Sequence, residues 1–230
     1  MTLLEAIEAR HSVRHYLDRP IEQEKADILR ENIDRLNAES GLHMQLVTCE
    51  RRAFTGVLSY GKFSGVANYI VMVGPKADAA LDLHAGYYGQ QVVLLAQTLG
   101  LNTCWVGLSY RKVPQAYAVD SGEKLVCVIA IGYGATQGTP HKTKSMAQVS
   151  NVSPDTPEWF RRGVEAALLA PTAVNQQKFG FYYTAPAGGG KPLVEARRGF
   201  SMFGYTEIDL GIAKLHFETA AGRDNFEYAR

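Results

Sequence analysis

Two short runs with almost no polar interruption, VANYIVMVG (66–74) and KLVCVIAIGY (124–133), restrict this chain more than any other feature. Each is rich in β-branched residues and punctuated by glycine, the pattern of a buried strand. Neither is long enough to cross a bilayer. Between them, residues 79–99 read as a long helix, apolar through Val92, Val93, Leu95 and Ala96, with Gly100 at its end. A fold must therefore place two buried strands against at least one helix.

The remaining elements surround that centre. Leu3, Leu4 and Ile7 share one face of a short helix ending near Arg10. Residues 22–38 form a second helix with Ile28, Leu29, Ile33 and Leu36 as its stripe, closed by Ser40-Gly41. HMQLVTC (43–49) alternates like a strand, and CWVGL (104–108) is a short apolar segment running into a loop. Residues 134–155 read as a long polar crossing loop. Thr156-Pro157-Glu158 has the form of a helix start, with a capping hydroxyl, proline at the first position and an acid in the first turn. That helix carries Val164, Ala167 and Leu168 and is stopped by Pro171. KFGFYYT (178–184) reads as a strand, APAGGGKP (185–192) as a turn and 208–221 as a final helix. Helices and strands mix without a βαβ rhythm, so the predicted class is α+β. A faint echo relates Leu81-Asp82-Leu83 to Ile208-Asp209-Leu210, each opening a helix.

Charge excludes some functions. With 24 basic and 23 acidic residues, a net charge of +1 offers no surface for nucleic acid or an anionic membrane. Cys49, Cys104 and Cys127 are scattered and odd in number, which predicts buried free thiols in a reducing compartment and no metal site. The charged amphipathic start MTLLEAIEARHSVR is unlike a signal peptide, so the expected location is the cytoplasm.

Candidate chemistry is sparse. ARHSVRHY packs Arg10, His11, Ser12, Arg14 and His15 together. In an extended segment, residues 10, 12 and 14 share a side, and two guanidinium forks with a hydroxyl suit a phosphate. A charged loop at a helix C-terminus reads equally well from the same residues. His141, Lys142 and Lys144 form a second basic cluster inside the crossing loop, which could close over the same phosphate or be merely solvated. LLAPTAVNQQ (168–177) is a helix stop followed by short polar groups, read either as a plain turn or as a ligand loop. GYGATQG (132–138) lacks the third glycine and following helix of a dinucleotide fingerprint, and GGGKP (188–192) lacks the residues of a P-loop. No general base or nucleophile stands out; His84 and His216 read as packing or hydrogen-bonding residues. An enzyme of this kind would leave the hard chemistry to a cofactor.

Four segments together resemble the nitroreductase-like family of FMN-dependent oxidoreductases. ARHSVRHY is similar to its Arg-x-Ser-x-Arg phosphate segment, and LAPTAVNQQKF to its Ala-Pro-Ser-x-x-Asn-x-Gln loop, with Thr172 in place of serine. LHAGYYGQQVVLLAQTLGLNTCWVGL resembles its central helix and the loop beside the flavin ring, and VIAIGYGATQGTPHKTK its late strand and basic residues. The order departs from the common pattern. The slot after the arginine segment holds LNAESGLHMQLV, and the proline loop comes only after residue 168.

In the family, a homodimer builds each flavin site from both subunits. The departure therefore implies a fused, internally duplicated pseudo-dimer of the single-chain TM type. Its first nitroreductase-like half spans 1–150 and its shortened second half 151–230, the two forming one compact unit with a mixed sheet flanked by helices. Carried over, Arg10, Ser12 and Arg14 hold the FMN phosphate and ribityl end, with His11 nearby and Lys142 and Lys144 assisting. Pro171, Thr172 and Asn175 border the flavin, with Asn175 on the ring or ribityl edge. Trp105, Val106, Gly107 and Leu108 face the ring, where backbone N–H groups stabilise charge and Gly107 permits close approach. The implied activity is ping-pong transfer of hydride from NADH or NADPH to a nitroaromatic, quinone or similar small acceptor, in a monomer with one FMN site. The alternative is a flavin-binding or sensing protein with little turnover.

Overall fold

The computed structural model describes residues 1–56, 62–186, 188 and 190–229. Ala187 and Gly189 of the expected turn lie outside them. Helix α1 (Leu3–Ala9) opens with a capping box in which Thr2 and Glu5 satisfy each other's backbone N–H. Helix α2 (Gln23–Ser40) ends at Gly41, whose φ of 73° makes the left-handed cap. Strand β1 (Gln45–Val47) leads to β2 (Tyr69–Pro75), helix α3 (Leu81–Thr98), β3 (Asn102–Val106) and β4 (Glu123–Gly132). These four strands form one antiparallel sheet in the order β1-β2-β4-β3.

The unbroken apolar runs now have a reason. Ile70, Met72, Cys127, Ile129 and Ile131 face a core shared with the helices. Tyr69, Val71, Val73, Val128 and Ala130 face a second core with Phe54, Tyr110 and Val113 from the loops. A sheet covered on both sides has no solvent face, so hydrophobic residues need not alternate with polar ones. The expected strand at 66–74 begins later, at Tyr69.

The crossing loop contains one short helix, α4 (Met146–Val149). Helix α5 (Glu158–Leu168) follows, but Thr156 does not cap it; its hydroxyl donates instead to Ser153 O at 2.8 Å. Strand β5 (Phe179–Thr184) pairs antiparallel with β6 (Leu193–Arg198), which pairs parallel with β7 (Glu227–Tyr228). The α+β class holds, with the strands divided between an antiparallel sheet and this smaller mixed one.

Helix α6 (Thr206–Ala221) runs through the middle. Phe217 on α6 stacks on Phe181 of β5, rings 4.5 Å apart and nearly parallel, and meets Phe160 of α5 edge-on. An aromatic pair of this kind contributes about 1 kcal/mol beyond burial. Against α3, α6 makes its closest crossing. A Cβ on Gly86 would sit 2.1 Å from Ile208 O, and one on Gly211 would sit 2.2 Å from Leu83 O. Only two glycines allow backbones this near.

Candidate functional site

A cavity of about 670 Å³ opens where the arginine segment, β3, the loop after α5 and the start of α6 converge. Ser12 reaches it because the segment after α1 pairs with β3, through a parallel bridge between Ser12 and Thr103. Arg14 and His15 follow it into the wall, and Lys62 and Phe63 join from across. His15 Nδ1 and Ser64 Oγ lie 2.9 Å apart, fixing that imidazole. The result is a polar, basic end.

The rest of the cavity is apolar. Trp105, Val106, Gly107 and Leu108 form one wall, and Pro171, Thr172, Ala173 and Val174 another. Tyr205, just before α6, and Ile208, Asp209 and Ile212 on it close the cavity, with Phe203 at the mouth. Gly107 is required, because a Cβ there would lie 2.6 Å from the Tyr205 ring. The neighbour that crowds Gly107 is thus a side chain of the second half of the chain.

Trp105 is held by a buried relay. Its indole N–H donates to Gln90 Oε1 at 3.0 Å, and Gln90 Nε2 lies 2.8 Å from His216 Nε2. His216 Nδ1 lies 3.1 Å from Ala166 O, so the network assigns the proton to Nδ1 and makes Nε2 the acceptor. Burial, reinforced by the charge of Arg10, pushes the His216 pKa down to about 3, which keeps the ring neutral. This agrees with the hydrogen-bonding role expected of His216.

The loop after α5 is held from several sides. Val174 (φ 47°), Asn175 (φ 55°) and Gln177 (φ 46°) all adopt left-handed backbone. A β-branched residue such as valine rarely does so, and surrounding structure must enforce it. Asp209 accepts from Ala173 N at 2.9 Å and from Gln176 Nε2 at 2.7 Å. Thr172 Oγ1 accepts from Gln177 N at 3.0 Å. Gln177 Nε2 donates to Lys142 O and to Asn175 Oδ1, while Lys144 N donates to Gln177 Oε1. Lys144 Nζ donates to Gln177 O at 2.6 Å, and Asn175 Nδ2 to Lys142 O at 2.9 Å.

These contacts sort the expected site residues. Ser12, Arg14, Trp105, Val106, Gly107, Leu108, Pro171 and Thr172 come together around the cavity. Asn175, Lys142 and Lys144 do not line it; the Asn175 amide, the Lys142 carbonyl and the Lys144 ammonium brace the loop instead. Arg10 and His11 also lie off its wall, beside Pro140, His141 and Leu169. Arg10 therefore does not share one open face with Ser12 and Arg14. It is buried, donates to Leu169 O at 3.3 Å and leaves Nε without a partner. Among the described residues no carboxylate pairs with it, and burial lowers its pKa to about 10. Its charge is felt by Cys104, which does line the cavity.

Sequence reasoning missed Lys62, Phe63, Phe203, Tyr205, Ile208, Asp209 and Ile212. Asp209 is the most consequential, a buried carboxyl whose pKa is raised to about 6 by burial. Its signal was present: one acid inside the apolar run IDLGIA. Cys49 is exposed, contrary to expectation, while Cys104 and Cys127 are buried; all three are free. His43, Asp120 and Glu123 form a separate cluster outside the cavity wall, with His43 Nδ1 2.9 Å from Glu123 Oε2.

Comparison with known proteins agrees with this architecture. A protein described as a "putative nitroreductase (tm1586)" from Thermotoga maritima superposes with a TM-score of 0.60 at 22% identity, covering 96% of this chain and 83% of that one. One described as a "Putative NADH dehydrogenase/NAD(P)H nitroreductase" from Parabacteroides distasonis gives 0.50 at 25% identity, covering 64% of this chain and 95% of the other. One described as a "putative nitroreductase in complex with fmn" from Desulfovibrio desulfuricans gives 0.54 at 19% identity, covering 68% and 99%. No curated protein matches by sequence. A family model described as "Putative TM nitroreductase" matches residues 2–221, and the chain belongs to that family.

Proposed function

We propose that this protein is an FMN-dependent oxidoreductase that takes electrons from NADH or NADPH and reduces nitroaromatic, quinone or similar small acceptors. The observation that carries this reading is the cavity's two-ended wall. One end is basic, from Ser12, Arg14, His15 and Lys62, and the other is an apolar slot bounded by Trp105–Leu108, Pro171 and Thr172. Its volume is typical of a cofactor site. Arg10 adds a buried cation behind that wall that meets no carboxylate among the described residues, an arrangement that a bound phosphate would relieve. The FMN bound by the Desulfovibrio desulfuricans nitroreductase, and the NAD(P)H in the name of the Parabacteroides distasonis one, support the same assignment.

In this reading Ser12 and Arg14 hold the phosphate, and Arg10 contributes through the wall. Trp105, fixed by Gln90, and the braced loop at Pro171–Thr172 hold the planar ring and keep water from it. FMN, when bound, supplies reversible two-electron chemistry, and the protein supplies position and electrostatics. Donor and acceptor take turns at the open mouth.

We also infer that residues 1–150 and 151–230 are two nitroreductase-like halves joined in one chain. Two observations support it. The cavity draws its walls from both stretches. The α3–α6 crossing is reciprocal: Gly86 meets Ile208 and Gly211 meets Leu83, so that the pairing of 83 with 208 and 86 with 211 maps each contact onto the other. A closed contact of this form is what a two-fold axis produces. The match sits two residues from the register of the Leu-Asp-Leu echo. A chain that supplies both walls needs no second subunit, so a monomer follows. The free thiols support a cytoplasmic location. Among the described residues, no helix is long and apolar enough to cross a membrane.

The absorbance spectrum of purified protein tests this. The expected result is a yellow protein with about one FMN per chain, bleached anaerobically by NADH or NADPH. A colourless protein that takes up no FMN would sink the proposal. Bound flavin that neither nicotinamide bleaches would make the chain a flavin-binding or sensing protein.

A further inference from the structure

The cavity's apolar wall continues past its mouth. Leu108, Val174 and Phe203 line the interior yet are 76%, 71% and 70% exposed, and Phe200 and Met202 on the same short loop are 82% and 91% exposed. A single exposed apolar side chain means little, but three on one cavity wall, with two more on the loop that carries Phe203, make an apolar surface that water should not be left to cover. Of the charges flanking this loop, Arg197 pairs with Glu195 and Arg198 with Glu207, while Lys178, exposed beside Gly199, stands outside these pairs. The five side chains themselves carry no charge, and what they match is an uncharged apolar group. Because Leu108, Val174 and Phe203 belong to cavity and patch alike, that group is continuous with whatever occupies the cavity.

We propose that the acceptor carries an apolar tail: a planar head enters the cavity and an aliphatic chain lies along Leu108, Val174, Phe203, Phe200 and Met202. Glycines bound the loop at Gly199 and at Gly204, where φ is 68°, so it can settle on chains of different shape. The binding track stands on the geometry alone; its use in turnover rests on the flavin reading above.

The test compares an unsubstituted benzoquinone with its decyl derivative. Trp105 lies in the cavity wall, so quenching of indole fluorescence reports binding whether or not flavin is present. The decyl compound should bind the wild-type protein about tenfold or more tightly, as burial of a few methylenes requires. In the holoenzyme it should show a matching advantage in kcat/KM. In a Phe200→Ser, Met202→Ser double variant that advantage should shrink to about twofold. Equal affinity for the two quinones in the wild type, or an undiminished advantage in the variant, would overturn the proposal. So would co-sedimentation of quinone-free protein with phosphatidylcholine or phosphatidylglycerol vesicles, or a dimer that the double substitution dissociates, since either assigns the patch another occupant. Failure of the protein to take up FMN would defeat the flavin reading and leave the fluorescence comparison decisive for the track.

Discussion

Two neighbouring loops border the cavity, and they are built on opposite principles. Residues 171–177 hold a strained path through hydrogen bonds to Asp209, Lys142 and Lys144, with Thr172, Asn175 and Gln177 bonding among themselves. Residues 199–204 have Gly199 N donating to Lys178 O, Phe203 N donating to Ser201 Oγ and Gln176 Nε2 donating to Gly204 O, and they present large apolar side chains to water. The first loop sacrifices backbone comfort for a fixed position. The second leaves apolar surface unmatched and keeps freedom to adapt. A rigid wall suits a ligand that never changes, and an adaptable one suits a ligand that does.

The contrast can be broken from the rigid side first. Gln177→Ala removes three side-chain hydrogen bonds and leaves the half-buried Lys144 N–H without this partner, while Lys142 O keeps its bond from Asn175 Nδ2, so unfolding in urea should show a loss of about 3 kcal/mol. A loss near zero would mean the network does not hold the loop.

Asp209 gives a pH-dependent version. Its folded pKa, raised by burial to about 6 from 3.8, means that ionisation is disfavoured in the folded state. Its contribution is therefore fully present below pH 3.8 and is lost as pH rises through 6. Between those limits the flavin-free protein should lose about 3 kcal/mol from this group, at about 1.4 kcal/mol for each tenfold change in its acid dissociation constant. Asp209→Asn should remove that component, so the difference between variant and wild-type stability should move in the variant's favour from pH 4 to pH 7. A difference that stays flat would show that Asp209 titrates normally. Gln176 Oε1, buried without a partner, could receive the new amide N–H if the glutamine side chain turned over.

Asn175→Ala should cost less, about 2 kcal/mol from lost hydrogen bonds and a left-handed alanine. Because its amide is turned to Lys142 O, FMN affinity should fall only as far as the loop loosens. Asn175→Gly relieves the backbone part, and recovery of melting temperature alongside FMN affinity would establish a bracing role. At the adaptable loop, Met202→Ser should change stability by less than about 0.5 kcal/mol, measured by the same urea titration. A large loss there would mean that the loop is anchored after all.

Much of this was legible beforehand because burial writes itself into sequence. The two sheet strands, α3 and α6 could be read from apolar runs, and the proline loop from its break. Strand β6 was missed because LVEARR alternates its one buried residue, Val194, with charges that pair on the surface, a pattern a loop also shows. Thr156 had every local mark of a cap, yet its Oγ1 accepts from Ser153 N in place of a helix N–H while its hydroxyl donates to Ser153 O. Arg10 looked equivalent to Arg14 by spacing; packing against Leu169 buried one and left the other on the cavity. Asn175 and Lys144 were recognisable as polar but not as partners, because their bonds join segments more than thirty residues apart.

The glycine crossing of α3 and α6 sets a limit on how such a cavity can diversify. The first turns of α6 form one cavity wall, and Gly211, within them, rests on the α3 backbone with no room for a methyl group. The position of that wall is fixed by main chain against main chain, where mutation has nothing to trim. New ligand shapes must then be met by exchange of side chains on the loop that leads into α6 and carries Phe200, Met202 and Phe203. Two absent carbon atoms thereby decide where in this molecule selection for a new substrate could act.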